Sequence, residues 1–543
     1  MQRKQDAFWH ATEQTGTLRP ETHFGGWRVL CYTERPPDLD AMFTSVAARF
    51  ADREAVVVDN QRLTYRDLAN AVGEVAFGLH DAGIMRGDRV ALLLGNCAEF
   101  VIATLACARA GFVCVPLGAR LARPELAYML NDAGASALIY ERSLAANIPE
   151  AGEVSGLRRR YAVGDGADEA ISFASLLGKG SLPPGRPVSE EDCAFILYTS
   201  GTTGRPKGAM LTHIGLVHSA MAFRGCVDLT ERERAVIAIP ISHVSGLVGI
   251  WLSTLAAGGC VVLMRHYDTR DFLSLAAKER MSYTIAVPAI YTRCLMEPDF
   301  DDFDLSSWRI GCYGGAPMPE ATIRAVAARL PGLVLVNAYG ATETTSPATI
   351  MPPGETASHP QSVGQVVPCG EIIVADEKGR KLPANAAGEL WIRGPMVVPG
   401  YWNNTEATAG GFTEGFWRSG DIGMIDAEGF VHLFDRAKDM VNRAGYKVFS
   451  AEVENVLADH PHVVECAIVG RPDPVLGERV QAFIVPRDPA LTAEEVRIFC
   501  ATRLADYKIP EFIQFLQEPL PRNANGKVQK HLLRNRGSRA PSV

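Results

Sequence analysis

Along the first third of the chain the apolar positions switch between two periods. Leu68, Val72, Val75 and Leu79 recur at helical spacing behind Thr64, whose hydroxyl can cap the helix. Gly83 and the Arg86-Gly87-Asp88 turn close that helix, and the apolar run 90–94 reads as a buried strand. The alternation repeats as a helix over 98–110 and a strand over 112–115, then as a helix over 123–133 and a strand over 137–140. The same texture returns between 216 and 336. Such β–α alternation predicts mostly parallel sheets covered by helices. From about Gly364 the pattern shortens to strands with Gly-rich turns, over 370–376, 388–393 and 429–433. After Asp439 a smaller unit follows: a helix over 450–460, strands over 463–469 and 480–485, and a helix over 492–504. Thr492 and Glu495 stand at capping-box spacing there. The basic and polar tail 534–543 predicts a frayed end.

The predicted fold is therefore α/β: a large N-terminal α/β body with mostly parallel sheets covered by helices plus a small β-rich subdomain, and a small α+β C-terminal lid domain. The boundaries fall at residues 1–435 for the body, 436–439 for a charged hinge linker and 440–543 for the mobile C-terminal domain. One apolar stretch, 240–264, has no Asp, Glu, Lys or Arg and is long enough to cross a bilayer. Its Ser242, His243, Ser245, Ser253 and Thr254, with the Gly258-Gly259 break, predict a buried helix followed by a buried strand instead. No membrane span is expected.

Bulk properties narrow the function classes. A chain of 543 residues needs more than one core, and 47% apolar with 21% charged residues is the balance of a folded protein. The net charge of −8 excludes a broad electrostatic footprint for nucleic acid. Twelve cysteines, scattered singly from Cys31 to Cys500 without a C-x-x-C pair or zinc spacing, predict reduced thiols and a cytoplasmic location. Residues 1–17 lack the apolar core of a signal peptide.

The densest chemistry follows the apolar run 193–197. Thr199, Ser200, Gly201, Thr202, Thr203, Gly204 and Lys207 combine turn-forming glycines, hydroxyl donors and a cation, a set suited to phosphate oxygens. A Walker loop is absent. This stretch resembles the phosphate loop of the class I adenylate-forming superfamily, which includes acyl-CoA synthetases, peptide-synthetase adenylation domains and beetle luciferases. The resemblance recurs in family order over roughly 43–530. Asn337, Ala338, Tyr339, Gly340, Ala341, Thr342 and Glu343 match the aromatic-Gly-x-Thr-Glu signature, and Arg418 to Asp421 match the ribose segment. Arg436 to Asp439 match the interdomain linker, Gly445 to Val448 the loop after it, and Pro521 to Lys527 the C-terminal lysine motif.

The resemblance implies ATP, Mg²⁺ and coenzyme A as cofactors and co-substrates, with a small carboxylic acid as substrate. Lys527 resembles the catalytic lysine, with Lys207, Thr342 and Glu343 beside it, and Glu343 resembles the magnesium ligand. Asp421 would accept from the ribose hydroxyls and Arg436 would donate to ribose or phosphate. Gly315, Ala316, Pro317 and Asn337 would flank the adenine. Lys438 matches the hinge and Gly445 the loop that faces the thiol, while His243, Gly314 and Gly315 would border the acyl pocket. Plainer readings stand beside these: a structural buried histidine for His243, an exposed loop lysine for Lys438 and for Lys527, a helix cap for Glu343, and a surface salt bridge for Asp421 and Arg436. Asp435 departs from the family's usual Gly, and Arg443-Ala444-Gly445 from its Ser-Gly-Gly.

The pocket segments 243–249, 311–317 and 338–350 contain no Lys or Arg. Burying a second carboxylate there without a partner would cost several kcal/mol, roughly, so a neutral aliphatic (fatty) or aromatic monocarboxylic acid is expected. The implied activity is that of an ATP-dependent acid–CoA ligase. The alternative is a stand-alone adenylation enzyme that loads an acyl carrier protein. A luciferase-like oxygenase shares the motifs, and a nucleotide-binding module without catalysis would be expected to lack Lys527 or Glu343.

Overall fold

The computed structural model describes residue 9 and residues 16–165, 170–178, 180–182, 188–199, 205–437, 439–444, 446–522 and 528–537. The helical stripe behind Thr64 forms the helix Tyr65–Asp81, with Thr64 and Asp67 closing a capping box. Its Leu68, Val72, Val75 and Leu79 are fully buried. With the helices Ala98–Ala110 and His213–Cys226 they share one apolar cluster with strands of two sheets.

The first sheet has six strands in the order Lys207–Thr212, Cys193–Thr199, Val113–Pro116, Arg89–Leu93, Ala135–Glu141 and Arg159–Val163. All run parallel except Lys207–Thr212, which forms an antiparallel hairpin with Cys193–Thr199. The second sheet has fourteen strands. Its parallel half places Glu54–Val58, Cys260–Leu263, Arg234–Ile237, Tyr283–Ala286, Ile310–Tyr313 and Val334–Tyr339 side by side. On the far edge of Val334–Tyr339 the direction reverses. Thr349–Ile350, Ser362–Val366, Phe430–Arg436, Phe416–Ile425, Gly388–Arg393 and Glu371–Ala375 continue the same sheet antiparallel. The β-rich region expected after Gly364 is thus an extension of the parallel sheet and not a sheet of its own. The connection after Tyr339 is too short for the crossover that a parallel return needs, so the chain comes back antiparallel.

The apolar stretch 240–264 folds as the π-helix Ser245–Leu252, the helix Ser253–Ala257 and the strand Cys260–Leu263, nearly all buried. Among the described residues no helix is long and apolar enough to cross a membrane. All twelve cysteines are free thiols.

The C-terminal unit is a five-stranded sheet with the helices Ser450–Ala458 and Ala493–Ala501. Val441, Val453, Leu457, Ile468, Val480 and Val496 form its core. Of the tail expected to fray, 534–537 is corrected, since Lys530–Gly537 is helical, and 538–543 lie outside the described residues. Leu533 is fully buried with Val469 and Phe483, and Arg534 pairs with Asp439 at 2.9 Å. Two anchors hold a turn that composition alone marks as loose.

Candidate functional site

Ligand crevices in α/β sheets lie beyond the carboxyl ends of parallel strands. Four segments singled out from the sequence leave such ends. Thr199 ends Cys193–Thr199, Gly314 follows Ile310–Tyr313, Gly340 to Glu343 follow Val334–Tyr339, and His243 lies beyond Arg234–Ile237. The turn after Tyr313 is tight: a Cβ at Gly314 would stand 2.3 Å from the Ala338 carbonyl oxygen, and Gly315 has φ +76°. Gly315, Ala316 and Pro317 are exposed there.

Glu343 sits on the single 3₁₀ turn Thr342–Thr344 and is buried. Its Oε1 accepts a hydrogen bond from the Tyr401 hydroxyl at 2.9 Å. Burial pushes the Glu343 carboxyl up, opposed by a backbone N–H, the Tyr401 hydroxyl and the charges of Arg436 and Lys207. Burial and the neighbouring Glu343 push the Tyr401 hydroxyl well up as well, so it stays a donor. Lys207 opens the strand Lys207–Thr212 opposite Thr199, and its Nζ stands 5.2 Å from the centre of the Tyr401 ring. One tyrosine thus touches both the buried anion and the cation, a cation–π contact included.

A second group lies across the sheet. The Tyr339 hydroxyl donates to Asp421 Oδ2 at 2.6 Å, and Arg436 Nε lies 3.1 Å from Asp421 Oδ1. Asp421 and Arg436 are register partners on Phe416–Ile425 and Phe430–Arg436, so the pairing is fixed by the ladder. The Asp421 backbone N–H donates to Ser419 Oγ at 3.0 Å. Asn337 is buried and its amide donates to the Ser362 carbonyl at 3.1 Å, which ties the two halves of the sheet together. Ala338 and Ala341 are half-buried against the core beside it.

His243 is half-buried ahead of the π-helix, a helix type often found at functional positions. Its carbonyl accepts from Leu247 N–H at 2.8 Å. Ser242 is buried. Ser200, Gly201, Thr202, Thr203, Gly204, Lys438, Gly445 and Lys527 lie outside the described residues. Asp435, the departure from the family pattern, accepts from the N–H groups of Arg436 and Ser450. It therefore joins the end of Phe430–Arg436 to the first turn of the C-terminal helix Ser450–Ala458.

Tyr401 escaped the sequence reading. Its only local signal is a Gly-Tyr-Trp turn, and its two partners are 58 residues or more away in sequence. Elsewhere, Glu21, His23 and Cys31 bring ligand-type atoms within 4.8 Å of one another. Glu21 is bonded to Arg19 and Arg35, and the His23 nitrogens face Glu21 and Glu191, so the group is an ion-pair network around the first hairpin.

The sequence profile described as "AMP-binding enzyme" matches residues 43–402, and that of the "AMP-binding enzyme C-terminal domain" matches 452–527. A feruloyl-CoA synthase of Amycolatopsis sp is 37% identical over 87% of this chain and 94% of its own. A long-chain-fatty-acid–CoA ligase of Mycobacterium tuberculosis is 33% identical over 88% of this chain and 93% of its own. The crystal structure of an anthranilate CoA ligase in complex with anthranoyl-AMP superposes with a TM-score of 0.86, at 26% identity over 92% of this chain and 98% of its own.

Proposed function

The chain belongs to the AMP-binding enzyme family, and on that premise we propose that it is an AMP-forming acid–CoA ligase acting on a neutral aliphatic or aromatic monocarboxylic acid. The observation that carries the reading is the alignment of Lys207, Tyr401 and buried Glu343 beside the Tyr339–Asp421–Arg436 group. In the first half-reaction a carboxylate oxygen of the acid attacks the α-phosphorus of ATP, pyrophosphate departs and an acyl-adenylate forms. Two anions meet in that step, so positive charge at the transition state is the main demand on the site. Lys207 and Lys527 answer it, and Thr342 holds an α-phosphate oxygen. Asp421 accepts from the ribose hydroxyls, with Arg436 alongside. In the second half-reaction the CoA sulfur attacks the acyl carbonyl, its proton is lost and AMP departs.

Mg²⁺ typically takes one or two carboxylates and completes its shell with phosphate oxygens and water. The buried carboxylate of Glu343 fits that demand, and Glu343 is the residue that would hold the ion. The ion would neutralise phosphate charge. The body comprises residues 1–435, Lys438 is the hinge and the Gly445 loop faces the thiol. Free thiols at all twelve cysteines support a cytoplasmic location.

The test is pyrophosphate release over a panel of fatty, aryl and dicarboxylic acids, with and without CoA. Release with a neutral acid and a thioester formed only when CoA is present are the expected results. Release that yields a thioester on an acyl carrier protein but none on CoA would establish the alternative, and no release with any acid would refute adenylation.

A further inference from the structure

The hairpin that presents Lys207 is braced from outside by one helix, Arg123–Ala133. The Tyr198 hydroxyl donates to Asp132 Oδ2 at 2.6 Å and also lies 3.2 Å from the Met129 carbonyl. On the other arm the Tyr128 hydroxyl donates to the Pro206 carbonyl at 3.2 Å, and the Arg205 guanidinium stands 5.4 Å from the centre of the Tyr128 ring. Positions 128 and 132 are one turn apart on the same helix face. Both arms of the hairpin, one residue before Thr199 and one before Lys207, are therefore tied to a single turn of helix.

The same turn reaches a second element. The Asp132 carbonyl accepts from Asn403 Nδ2 at 2.8 Å. Asn403 lies two residues past Tyr401, whose neighbour Trp402 donates its N–H to the Gly208 carbonyl at 2.7 Å. Ala209 and Tyr401 are bridge partners across that gap. Helix, hairpin and the 401–403 turn form a closed ring of hydrogen bonds, and Asp132 contributes two of them. The strongest is the short bond from Tyr198 to a carboxylate, since charge-assisted hydrogen bonds are roughly twice as strong as neutral ones. Burial and the adjacent Asp132 charge push the Tyr198 hydroxyl well up, so it remains the donor.

We propose that the Asp132 carboxylate is a positioning group for the activation of ATP: it holds Lys207 through Tyr198, on a helix turn whose main-chain carbonyl at 132 also fastens Asn403 beside Tyr401, so that cation and Glu343 keep their spacing. The inference rests on the adenylation reading above. Asp132 touches neither Lys207 nor Glu343 in any hydrogen bond of the described residues; its side chain acts through the hairpin that carries Lys207, while the 401–403 turn is held by the main-chain carbonyl and is left in place by substitution at 132. Misplacement of a reacting group by about 1 Å can cost on the order of 10²-fold, so loosening one bond of the ring should be read mainly in how ATP is used.

The experiment is ATP–pyrophosphate exchange by the full chain, with ATP and acid varied separately. Asp132→Ala and Tyr198→Phe should each lower kcat/KM for ATP about 10-fold while KM for the acid stays within about 2-fold. Asp132→Asn, whose amide oxygen still accepts from Tyr198, should recover to within about 3-fold of the parent. The double variant Asp132→Ala/Tyr198→Phe should be no worse than Asp132→Ala alone, as expected for two halves of one interaction. Unchanged ATP kinetics in Tyr198→Phe, additive losses in the double variant, or equal losses toward ATP and acid would each overturn the proposal. Absence of exchange in the parent enzyme would sink the adenylation reading and this inference with it, whereas exchange in the parent with unaffected variants sinks the inference alone.

Discussion

In the parallel half of the fourteen-stranded sheet the groups assigned to the phosphates and the acyl pocket sit just past strand ends, whereas in the antiparallel half the Asp421–Arg436 pair sits within the ladder. Gly314, Thr342, Glu343 and His243 all follow strands whose carboxyl ends point one way, so a crevice there collects groups from three connections. Asp421 and Arg436 instead face each other as register partners, and their spacing follows from strand pairing alone. The two halves position chemistry by different means. Loops past parallel strands bring together groups distant in sequence but depend on side-chain contacts to be held, and Tyr401 supplies that contact for Glu343. A ladder pair is held by the backbone and needs less help. Damage to the first kind of residue should therefore fall on the chemical step, and damage to the second on nucleotide binding.

The sharpest break in that contrast comes from Glu343→Gln. The amide keeps the shape and can still accept from Tyr401 but loses the charge that would hold Mg²⁺. Loss of one electrostatic element of such a site typically costs about 10²–10³-fold, and we expect that fall in kcat for pyrophosphate release with KM for ATP changed less. Equal KM and kcat effects would place Glu343 with the ladder residues instead. Asp421→Asn should show the opposite signature. Hydrogen bonds to charged groups are worth about 1.5–3 kcal/mol, so KM for ATP should rise roughly 10- to 100-fold with kcat within a few-fold. An effect on kcat alone would contradict a ribose role.

Much of this arrangement was legible in the sequence. Helices at 98–110 and 123–133 match the observed Ala98–Ala110 and Arg123–Ala133, because apolar stripes and Gly caps are local signals. The capping box at Thr492 and Glu495 was equally local. Sheet continuity was not legible, since Glu54–Val58 pairs with Cys260–Leu263 across some two hundred residues and no short-range pattern encodes that. Tyr401 was missed for the same reason: its meaning lies in Glu343 and Lys207, which only tertiary structure brings near. Asp435 shows the converse. Its departure from the family pattern was visible, and its bond to Ser450 N–H supplies the physical reason a side chain is useful there.

Besides the backbone ladder and the Asn337 amide, the two halves are joined by the Tyr339 hydroxyl, which reaches from the last residue of Val334–Tyr339 to Asp421. If the antiparallel half is held by its own ladder, this bond fine-tunes Asp421 and does not place it. Tyr339→Phe keeps the ring and its packing and removes only the donor. A hydrogen bond to a carboxylate is worth about 1.5–3 kcal/mol, of which only a part reaches ATP binding if Asp421 keeps its place, so KM for ATP should rise about 5-fold with kcat unchanged and Tm nearly so. The Asp421–Arg436 register pair would remain as the anchor. A rise as large as that of Asp421→Asn would mean that the parallel half dictates where Asp421 stands, and the independence of the two halves would be lost. A combined Tyr339→Phe/Asp421→Asn variant no worse than Asp421→Asn alone would locate the whole effect of the hydroxyl in that one carboxylate.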